Sequence, residues 1–561
     1  MGRAGRHLML EQLVAAGVRY VFGNPGTTEQ AFMDALNDYP QLEYVLALQE
    51  AVALAMADGY SRLSPVPAFV QLHITVGLGN AMGMLYNAWR TRAPMVIYAG
   101  QHATRGGLQE PILYGDLLSM ARPLVKWEVE VPRASELPLA LRRAFKVAAD
   151  PPPGPVLVAV PTDVMDEEAD APVFSPPKTY GEVRPQKEAV ALAAELLAQA
   201  QAPAIVAGDW CMGMDEELTR LALMVGAPIY VAFSSRVPIS PENPMYAGPL
   251  NVVSFPALKA QLAEVDVLVA VGTPLFPSLL PLPEDPLPAG CRVVHIDVSP
   301  WELGKTWPTA VPMMAHPRQA LREIAEALEP LLTPQVRQRA QHRREALARA
   351  RETAWKMALE AARAHWGQRP MTPARFAYEL AHALHPDTLL YDESVTVAGH
   401  LMRYLRLAPG QHFRAAGGGL GMGMPAPLGL KLAEPSRPVL AVVGDGSALY
   451  TIQALWTAAH HRIPVTWVIA NNASYRILKL NMLEYLGEGA RERPFLGMDL
   501  VEPHLDFSRI AQAFGVKGVR IEDPEEVGPA VREAQAASEP RLIDVVIGGA
   551  LEETPSGRSD R

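Results

Sequence analysis

The chain has 561 residues, enough for three to four domains at about 150 residues each. Apolar residues make up 49% and charged residues 20%, which excludes a disordered chain, and the net charge of -10 provides no positive field for binding nucleic acid. The two cysteines, Cys211 and Cys291, are too few for a disulfide framework and lack metal-ligand spacing. They indicate a reducing compartment and exclude zinc and iron-sulfur sites.

The first third of the chain alternates apolar runs of strand length with helical segments; the runs are VRYVFG, YVLALQ, AFVQLH, MVIYAG and VLVAVP. The N-terminal segment lacks the continuous apolar core of a signal peptide, so we expect no secretion. Leu63 to Trp89 contains no charged residue and is long enough for a membrane span. Prolines, glycines and amides interrupt it, so we predict a buried strand, an active-site loop and a helix.

A proline-rich segment from Val173 to Gln186 has the composition of a linker. A second set of apolar runs follows it: AIVAG, APIYVAF, VLVAVG and RVVHID. The stretch from about Pro334 to Trp366 is rich in Arg, Ala and Glu, which predicts a solvated connecting helix.

The last third contains the runs TLLYDE, PVLAVVGDG, VTWVIANN and LIDVVIG. Buried strands that alternate with helices are typical of parallel sheets covered on both faces. We therefore predict an α/β protein with three doubly wound domains and parallel sheets. The expected parts are an N-terminal domain at 1–172, a middle domain at 187–330, a helical linker at 331–368 and a C-terminal domain at 369–561.

Polar clusters follow two strands of the last third, Gly-Asp-Gly-Ser at 444–447 and Asn-Asn-Ala-Ser at 471–474. Ligands bind beyond the carboxyl ends of strands in an open parallel sheet, so both clusters can contribute to one site. The Asp445 carboxylate, the Asn472 amide oxygen and the Ser474 backbone carbonyl suit Mg²⁺ completed by phosphate oxygens and water. Either cluster alone is also typical of a tight turn.

Together the two clusters resemble the diphosphate and Mg²⁺ motif of thiamine diphosphate enzymes. The likeness continues from VFGNPG near the start, through RPLVKWEVE, to GDGSALYTIQALWTAA. Within that group it is strongest to the benzoylformate decarboxylases, and acetolactate synthase, pyruvate oxidase and related carboligases are more distant. The resemblance implies a fold of the pyruvate decarboxylase type, with thiamine diphosphate and Mg²⁺ as cofactors.

Glu50 follows the run YVLALQ and begins a helical segment, where the helix dipole tolerates a carboxylate. The resemblance implies that Glu50 binds the pyrimidine ring of the cofactor and promotes formation of its reactive carbanion. The other interpretation is that the Glu50 carboxylate only stabilises the helix by complementing its dipole.

The segments FGNPGTTE and LHITVGLGNAMG resemble the substrate-side loops of the benzoylformate decarboxylases. The resemblance assigns Thr27 to the position of a serine that contacts the substrate carboxylate, and His73 to an active-site histidine. A helix cap for Thr27 and a core position for His73 are the structural alternatives.

The segment AAGGGLGMGMPAPLG resembles the loop that supports the bent cofactor, with Leu420 beneath it. A glycine-rich turn is the alternative for this loop. The resemblance implies a set of cofactor contacts, which are Asn80, Thr396, Gly418, Leu420, Asp445, Gly446, Ser447, Asn472, Ser474 and Tyr475.

The implied reaction is decarboxylation of a 2-oxo acid, followed by aldehyde release or transfer of the remaining fragment to a carbonyl acceptor. Two departures from the benzoylformate decarboxylases favour the second outcome or another substrate. No histidine occurs between Asn251 and Arg292, and Leu279 aligns with the second active-site histidine of those enzymes. Asn481 falls where an aromatic pocket residue is expected.

Two other functions stay open: an acetolactate synthase-like carboligase, and a cofactor-binding or regulatory protein without catalysis. FAD on the middle domain is a further option, for which the sequence gives no support. The expected partners are a small 2-oxo acid and further copies of the chain, as a homodimer or homotetramer, in the cytoplasm. We expect neither nucleic acid nor membrane as a partner.

Overall fold

The computed structural model describes residues 2–175, 182–278, 281–549 and 551. They contain three six-stranded sheets with helices packed around them, which confirms the predicted α/β class. Parallel strand pairs occur in all three sheets. Among the described residues, no helix is long and apolar enough to cross a membrane.

The first sheet lies within the N-terminal third. The strands of this region are β1 (Arg3–Ala4), β2 (Tyr20–Gly23), β3 (Glu43–Leu46), β4 (Ala68–Leu72), β5 (Met95–Gln101), β6 (Glu128–Glu130), β7 (Pro155–Pro161) and β8 (Glu168–Ala169). The sheet order is β3-β2-β4-β5-β7-β6, and β1 pairs separately with β8. Strands β4, β5 and β7 are buried along their whole length because helices cover both faces, which explains why they are continuous apolar runs.

Seven α-helices and several 3-10 turns surround this sheet. The helices are α1 (Gly5–Ala15), α2 (Gln30–Ala35), α3 (Glu50–Ser61), α4 (Ile74–Arg90), α5 (Leu117–Ala121), α6 (Leu137–Ala149) and α7 (Thr162–Asp166). The 3-10 turns are Thr27–Glu29, Leu36–Asp38, Thr104–Gln109, Arg122–Leu124 and Ala134–Glu136. Helix α4 begins directly after β4, so the segment predicted as an active-site loop is mostly helical, and His73 is its N-cap residue.

The second sheet has the order β11-β10-β9-β12-β13-β14. Its strands are β9 (Pro203–Ala207), β10 (Ile229–Val231), β11 (Tyr246–Pro249), β12 (Val267–Val271), β13 (Arg292–Asp297) and β14 (Val311–Met314). The associated helices are α8 (Lys187–Gln199), α9 (Asp215–Val225), α10 (Phe255–Leu262), α11 (Pro317–Leu328) and α12 (Pro334–Ala364), with 3-10 turns at Asp209–Cys211 and Glu329–Leu331. Separate apolar clusters pack against its two faces.

Helix α12 is the predicted connecting helix, and most of its residues are exposed. Some of its arginines nevertheless have structural partners. Arg343 donates hydrogen bonds to the carbonyl oxygens of Val225 and Gln201, and Arg339 donates one to Ala198. These carbonyls lie at or near the ends of α9 and α8, where backbone oxygens lack partners within the helix. The charge run therefore stabilises the middle domain.

The third sheet has the order β16-β15-β17-β18-β20-β19. Its strands are β15 (Leu389–Glu393), β16 (His412–Arg414), β17 (Val439–Gly444), β18 (Thr466–Asn471), β19 (Lys517–Ile521) and β20 (Arg541–Val546). The helices of this region are α13 (Pro373–Ala383), α14 (Ala398–Tyr404), α15 (Ala426–Ala433), α16 (Asp445–Ala448), α17 (Ala454–His460), α18 (Arg476–Leu486), α19 (Phe507–Ala513) and α20 (Pro524–Ala536), with a 3-10 turn at Glu488–Glu492.

The described residues form two compact units. One contains the described parts of 1–178, 367–399 and 415–561, including the first sheet and most of the third. Within this unit α3 packs closely against α15: a Cβ added to Gly429 would lie 1.9 Å from the Met56 carbonyl oxygen. The other unit contains the described parts of 179–366 and 400–414. The finer domain boundaries stay a prediction.

Candidate active site

The two polar clusters of the last third lie at the carboxyl ends of neighbouring strands. β17 and β18 are parallel, and Gly444 is in register with Ala470. Asp445 is the first residue of α16, directly after β17, and Asn471 is the last residue of β18. The fold therefore brings the Gly-Asp-Gly and Asn-Asn clusters to one edge of the sheet.

The Asp445 carboxyl group is buried at this edge. Its Oδ1 accepts a hydrogen bond from the Gly446 amide at 2.9 Å, whereas Oδ2 is buried and has no hydrogen-bond partner among the described residues. Burial raises the pKa of Asp445 to about 6, and backbone amides of Gly446 and of residues 472–474 act in the opposite direction. A buried carboxylate oxygen without such a partner is suited to binding a cation.

The loop after β18 adds further polar atoms. The Asn472 Oδ1 accepts a hydrogen bond from the Ser474 amide at 2.9 Å, and Ala473 between them adopts a positive φ of 51°. The Ser474 hydroxyl donates to the Met498 carbonyl at 2.9 Å. The predicted metal contact of Ser474 is its backbone carbonyl.

A buried carboxylate that the sequence analysis missed supports this loop. Asp544 on β20 is fully buried and accepts hydrogen bonds from Asn471 Nδ2 and from the Phe507 amide, both at 3.0 Å. Arg520 donates to the same carboxylate at 3.0 Å. Asp544 therefore holds Asn471, the residue next to Asn472, in place.

The donor set fits Mg²⁺ bound together with a diphosphate. Among the described residues, no group of three or more His, Cys, Asp and Glu side chains could hold a metal ion. Asp445 supplies the carboxylate, so phosphate oxygens and water would complete the shell of a hard cation. A Cβ on Gly446 would lie 2.4 Å from the Tyr475 ring, so only glycine permits this contact. Ser447 is buried beside it.

The remaining cofactor residues predicted on this sheet lie in two loops. Thr396 is half-buried, shortly after β15, next to Val395 at a positive φ of 49°. Gly418 adopts a φ of 102° and has open space where a Cβ would be. Leu420 is half-buried two residues later.

A second polar group lies at the carboxyl edge of the first sheet. Glu50 begins α3 and is 7% exposed. Its Oε2 accepts a hydrogen bond from the exposed Asn80 of α4 at 3.0 Å. A Cβ on Gly77 would lie 2.9 Å from Glu50 Oε1 and 3.2 Å from the Cβ of His73. Because Gly77 has no side chain, the Glu50 and His73 side chains can both pack against it.

His73 is held by a carboxylate that the sequence analysis did not single out. Its Nδ1 lies 2.9 Å from Oε2 of the fully buried Glu29. Glu29 also accepts hydrogen bonds from the Thr28 hydroxyl at 2.6 Å and the Gly100 amide at 3.1 Å. A carboxylate partner favours the tautomer with the proton on Nδ1, which would leave Nε2 for proton transfer. The signal for Glu29 was its place in the motif FGNPGTTE.

The other predicted substrate-side positions have simpler surroundings. Thr27 is exposed at the start of the 3-10 turn Thr27–Glu29. Asn481 is exposed on α18. Leu279, the predicted replacement for a histidine, lies outside the described residues.

The predicted residues thus form two groups, one around Glu50 and His73 and one around Asp445 and Asn472. Among the described residues, no hydrogen bond or ion pair joins a predicted residue of one group to one of the other. We refer to these two groups as half-sites, one at an edge of the first sheet and one at an edge of the third.

Comparisons with known proteins identify the family of the chain. Residues 3–113 match the N-terminal TPP binding domain of thiamine pyrophosphate enzymes, residues 190–324 the central domain and residues 395–545 the C-terminal TPP binding domain. Thiamine pyrophosphate, or TPP, is another name for thiamine diphosphate.

The chain is similar to individual members of this family over nearly its whole length. It is 35% identical over 539 residues to a benzoylformate decarboxylase of Pseudomonas aeruginosa, covering 94% of this chain and 96% of the relative. A probable acetolactate synthase large subunit of Methanocaldococcus jannaschii is 28% identical, covering 97% and 92%.

Solved structures show the same relationship. A thiamine diphosphate-dependent 4-hydroxybenzoylformate decarboxylase of Rhodococcus jostii matches with a TM-score of 0.83 and 29% identity, covering 97% of this chain and 99% of that one. A benzoylformate decarboxylase of Polynucleobacter necessarius matches with a TM-score of 0.84 and 26% identity, covering 98% and 99%. With all three domains matched in order, this chain belongs to the thiamine pyrophosphate enzyme family.

Proposed function

We propose that the protein is a thiamine diphosphate- and Mg²⁺-dependent decarboxylase of a 2-oxo acid, of the benzoylformate decarboxylase type. The observation that carries this proposal is the unpartnered Oδ2 of buried Asp445, beside the Asn472 loop, in a chain that also holds Glu50 at a helix start. Membership of the family and the similarity to benzoylformate decarboxylases support it.

The third sheet would hold the diphosphate end of the cofactor. Asp445, Asn472 and the Ser474 carbonyl would bind Mg²⁺. Gly446, Ser447 and Tyr475, together with Thr396, would contact the diphosphate, and Gly418 and Leu420 would lie against the rings. When bound, thiamine diphosphate supplies a carbon nucleophile and an acceptor for the electrons left behind as CO2 departs.

The first sheet would supply proton handling and substrate contacts. Glu50 would bind the pyrimidine nitrogen N1′, and Asn80 would orient its carboxylate. The free Nε2 of His73 would donate or accept a proton at the reacting carbon, since Glu29 occupies Nδ1. The exposed Thr27 hydroxyl would bind the substrate carboxylate.

A carboligase of the acetolactate synthase type is the second candidate. The exposed amide of Asn481 in place of an aromatic side chain favours it, and so does the similarity to an acetolactate synthase subunit. Without a second histidine to protonate the product, transfer to a carbonyl acceptor would compete with aldehyde release. Product identification separates the two candidates, and the absorption spectrum of the purified protein tests for FAD.

The two half-sites lead us to propose a homodimer as the smallest active form, with a tetramer as a further assembly. Large exposed apolar residues in the regions of the first and third sheets fit a surface that a second copy would cover. They are Leu108, Ile112, Tyr114, Tyr450, Leu478, Tyr485, Leu486 and Leu496.

Both cysteines are free thiols, which supports a cytoplasmic location, testable by cell fractionation.

The direct test is CO2 release from a panel of 2-oxo acids, including benzoylformate and pyruvate, with thiamine diphosphate and Mg²⁺ added. Glu50→Gln and Asp445→Ala should each lower activity on the order of 100-fold or more, because they remove a proton-handling group and a metal ligand. Glu43→Gln, an exposed acid-to-amide change on β3, should have no effect. Full activity of the Glu50 and Asp445 variants would refute the assignment, and cofactor binding without turnover of any acid would indicate a non-catalytic protein.

A further inference from the structure

The glycine-rich loop from Gly417 to Gly423 is held by side chains from outside it, on both sides of Leu420. Gly418 and Gly421 have φ angles of 102° and 103°, a conformation that other residues rarely adopt. Such a loop has few conformational restraints of its own, so its shape depends on external hydrogen bonds.

Asn87 of α4 holds the N-terminal side of the loop. Its Nδ2 donates to the Gly419 carbonyl at 2.9 Å, and its Oδ1 accepts from the Gly419 amide at 2.8 Å. Asn87 is 1% exposed, and a Cβ on Gly417 would lie 2.4 Å from its Oδ1. Both polar groups of the Gly419 backbone are therefore satisfied by one buried amide.

Glu393 at the end of β15 holds the C-terminal side. Its carboxylate accepts hydrogen bonds from the amides of Gly421 at 3.0 Å, Met422 at 3.1 Å and Gly423 at 2.8 Å. Glu393 is 3% exposed. In addition, the Thr451 hydroxyl donates to the Gly421 carbonyl at 2.6 Å.

Leu420 lies between these two attachments, and its side chain is half-buried. The residues on either side are fixed by five hydrogen bonds from Asn87 and Glu393. Asn87 and Glu393 therefore fix the backbone on both sides of Leu420.

We propose that Asn87 and Glu393 are positioning residues. They would hold Leu420 against the cofactor, so that the cofactor keeps the bent shape in which it reacts. This inference rests on the proposed function, in which Leu420 contacts the cofactor rings. Asn80, the partner of Glu50, lies seven residues before Asn87 on α4 and so faces the same side of the helix. In the proposed dimer, one rigid helix would then contact both the Glu50 carboxylate, which serves one active site, and the Leu420 loop, which serves the other.

The test compares Asn87→Ala and Glu393→Gln with a matched control in the full-length protein. Gln12 is fully buried and also exchanges two hydrogen bonds with one backbone residue, Phe174. Gln12→Ala therefore removes a similar pair of bonds far from the loop. Glu393→Gln keeps the side-chain shape, but its NH2 group cannot accept a hydrogen bond. At least one of the three backbone amides therefore loses its acceptor.

We expect each loop variant to lower kcat on the order of 10- to 100-fold, because a displaced support costs about this much. The thiamine diphosphate concentration for half-saturation should change little, since Asp445 and Asn472 hold the other end of the cofactor. Gln12→Ala should keep the wild-type kcat. In a Leu420→Ala background, Asn87→Ala should cause almost no further loss, because the side chain it positions is gone.

A second measurement does not require activity. In the cofactor-free protein, amide hydrogen exchange in peptides covering 417–423 should become faster in both loop variants and stay unchanged in the Gln12 control. An unchanged kcat in both loop variants, or losses that simply add to that of Leu420→Ala, would overturn the inference. If the wild-type enzyme decarboxylates no 2-oxo acid, the proposed function fails, whereas unchanged exchange in an active enzyme refutes only the positioning role.

Discussion

Acid-base catalysis at the proposed site would depend on buried side chains that hold the reacting side chains in position. Glu29 is an example, because its buried carboxylate accepts hydrogen bonds from three neighbours and holds His73 Nδ1 at 2.9 Å. A positioned histidine with one free nitrogen is suited to acid-base catalysis. We therefore regard Glu29 as a positioning residue for His73.

Replacing Glu29 with Gln tests that role. Gln keeps the size of the side chain but lets the imidazole adopt either tautomer, so kcat should fall on the order of 10- to 100-fold with a smaller change in KM. Nitrogen NMR of His73 should show the proton leaving Nδ1 in part of the molecules. Glu128→Gln, which alters an acid on the first sheet that pairs with Arg122, should leave both readouts unchanged. A lower thermal stability with normal kcat would mean that Glu29 serves only packing.

At the scale of elements, His461, the residue after α17, is hydrogen-bonded to the strand that leads to Glu50. His461 Nε2 accepts from the Leu46 amide at 2.9 Å, and the Thr457 hydroxyl donates to the Leu46 carbonyl at 3.0 Å. Leu46 ends β3, an edge strand of the first sheet. Burial, together with the charge of the neighbouring His460, lowers the pKa of His461 to about 4. The histidine must be neutral to accept this hydrogen bond.

This arrangement predicts a pH dependence of folding. A histidine whose pKa is lower in the folded state stabilises the fold above its unfolded value of about 6.5, and this contribution is lost as the pH falls towards 4. Because the ring is only half-buried, screening by solvent limits the effect to on the order of 1 kcal/mol.

The measurement is the free energy of unfolding between pH 7 and pH 4. His461→Gln, which retains an acceptor, should show a shallower decrease than the wild type. His382→Gln, at an exposed hydrogen bond on α13, should match the wild type. Equal slopes for all three proteins would contradict the role of His461.

At the scale of the whole molecule, the two half-sites predict that one active site combines Glu50 of one subunit with Asp445 of another. Mixing inactive Glu50→Gln and Asp445→Ala chains, followed by dissociation and reassembly, would then create hybrid dimers with one intact site. We expect recovery of about a quarter of the wild-type activity, because half of the dimers are hybrids with one of two sites intact. Each variant reassembled alone is the control. No recovery in the mixture would place the whole site within one chain.

The central strands were predictable because helices cover both of their faces, which makes them continuous apolar runs. The edge strands Glu128–Glu130 and Lys517–Ile521 escaped prediction because they carry charges and are not fully buried, so they are not continuous apolar runs. Asp445, Asn472 and Glu50 were identifiable because each lies next to the end of an apolar run. Their positions follow from the local sequence.

The sequence by itself determined the α/β class, the three sheets and the polar clusters at strand ends, since periodicity and strand ends are local properties. Only the tertiary structure revealed the residues that orient those clusters. Asn87 contacts Gly419, and Asp544 contacts Asn471, across long stretches of chain. Such side chains look like ordinary buried polar residues in the sequence, because their partners are backbone or side-chain groups that only folding brings near.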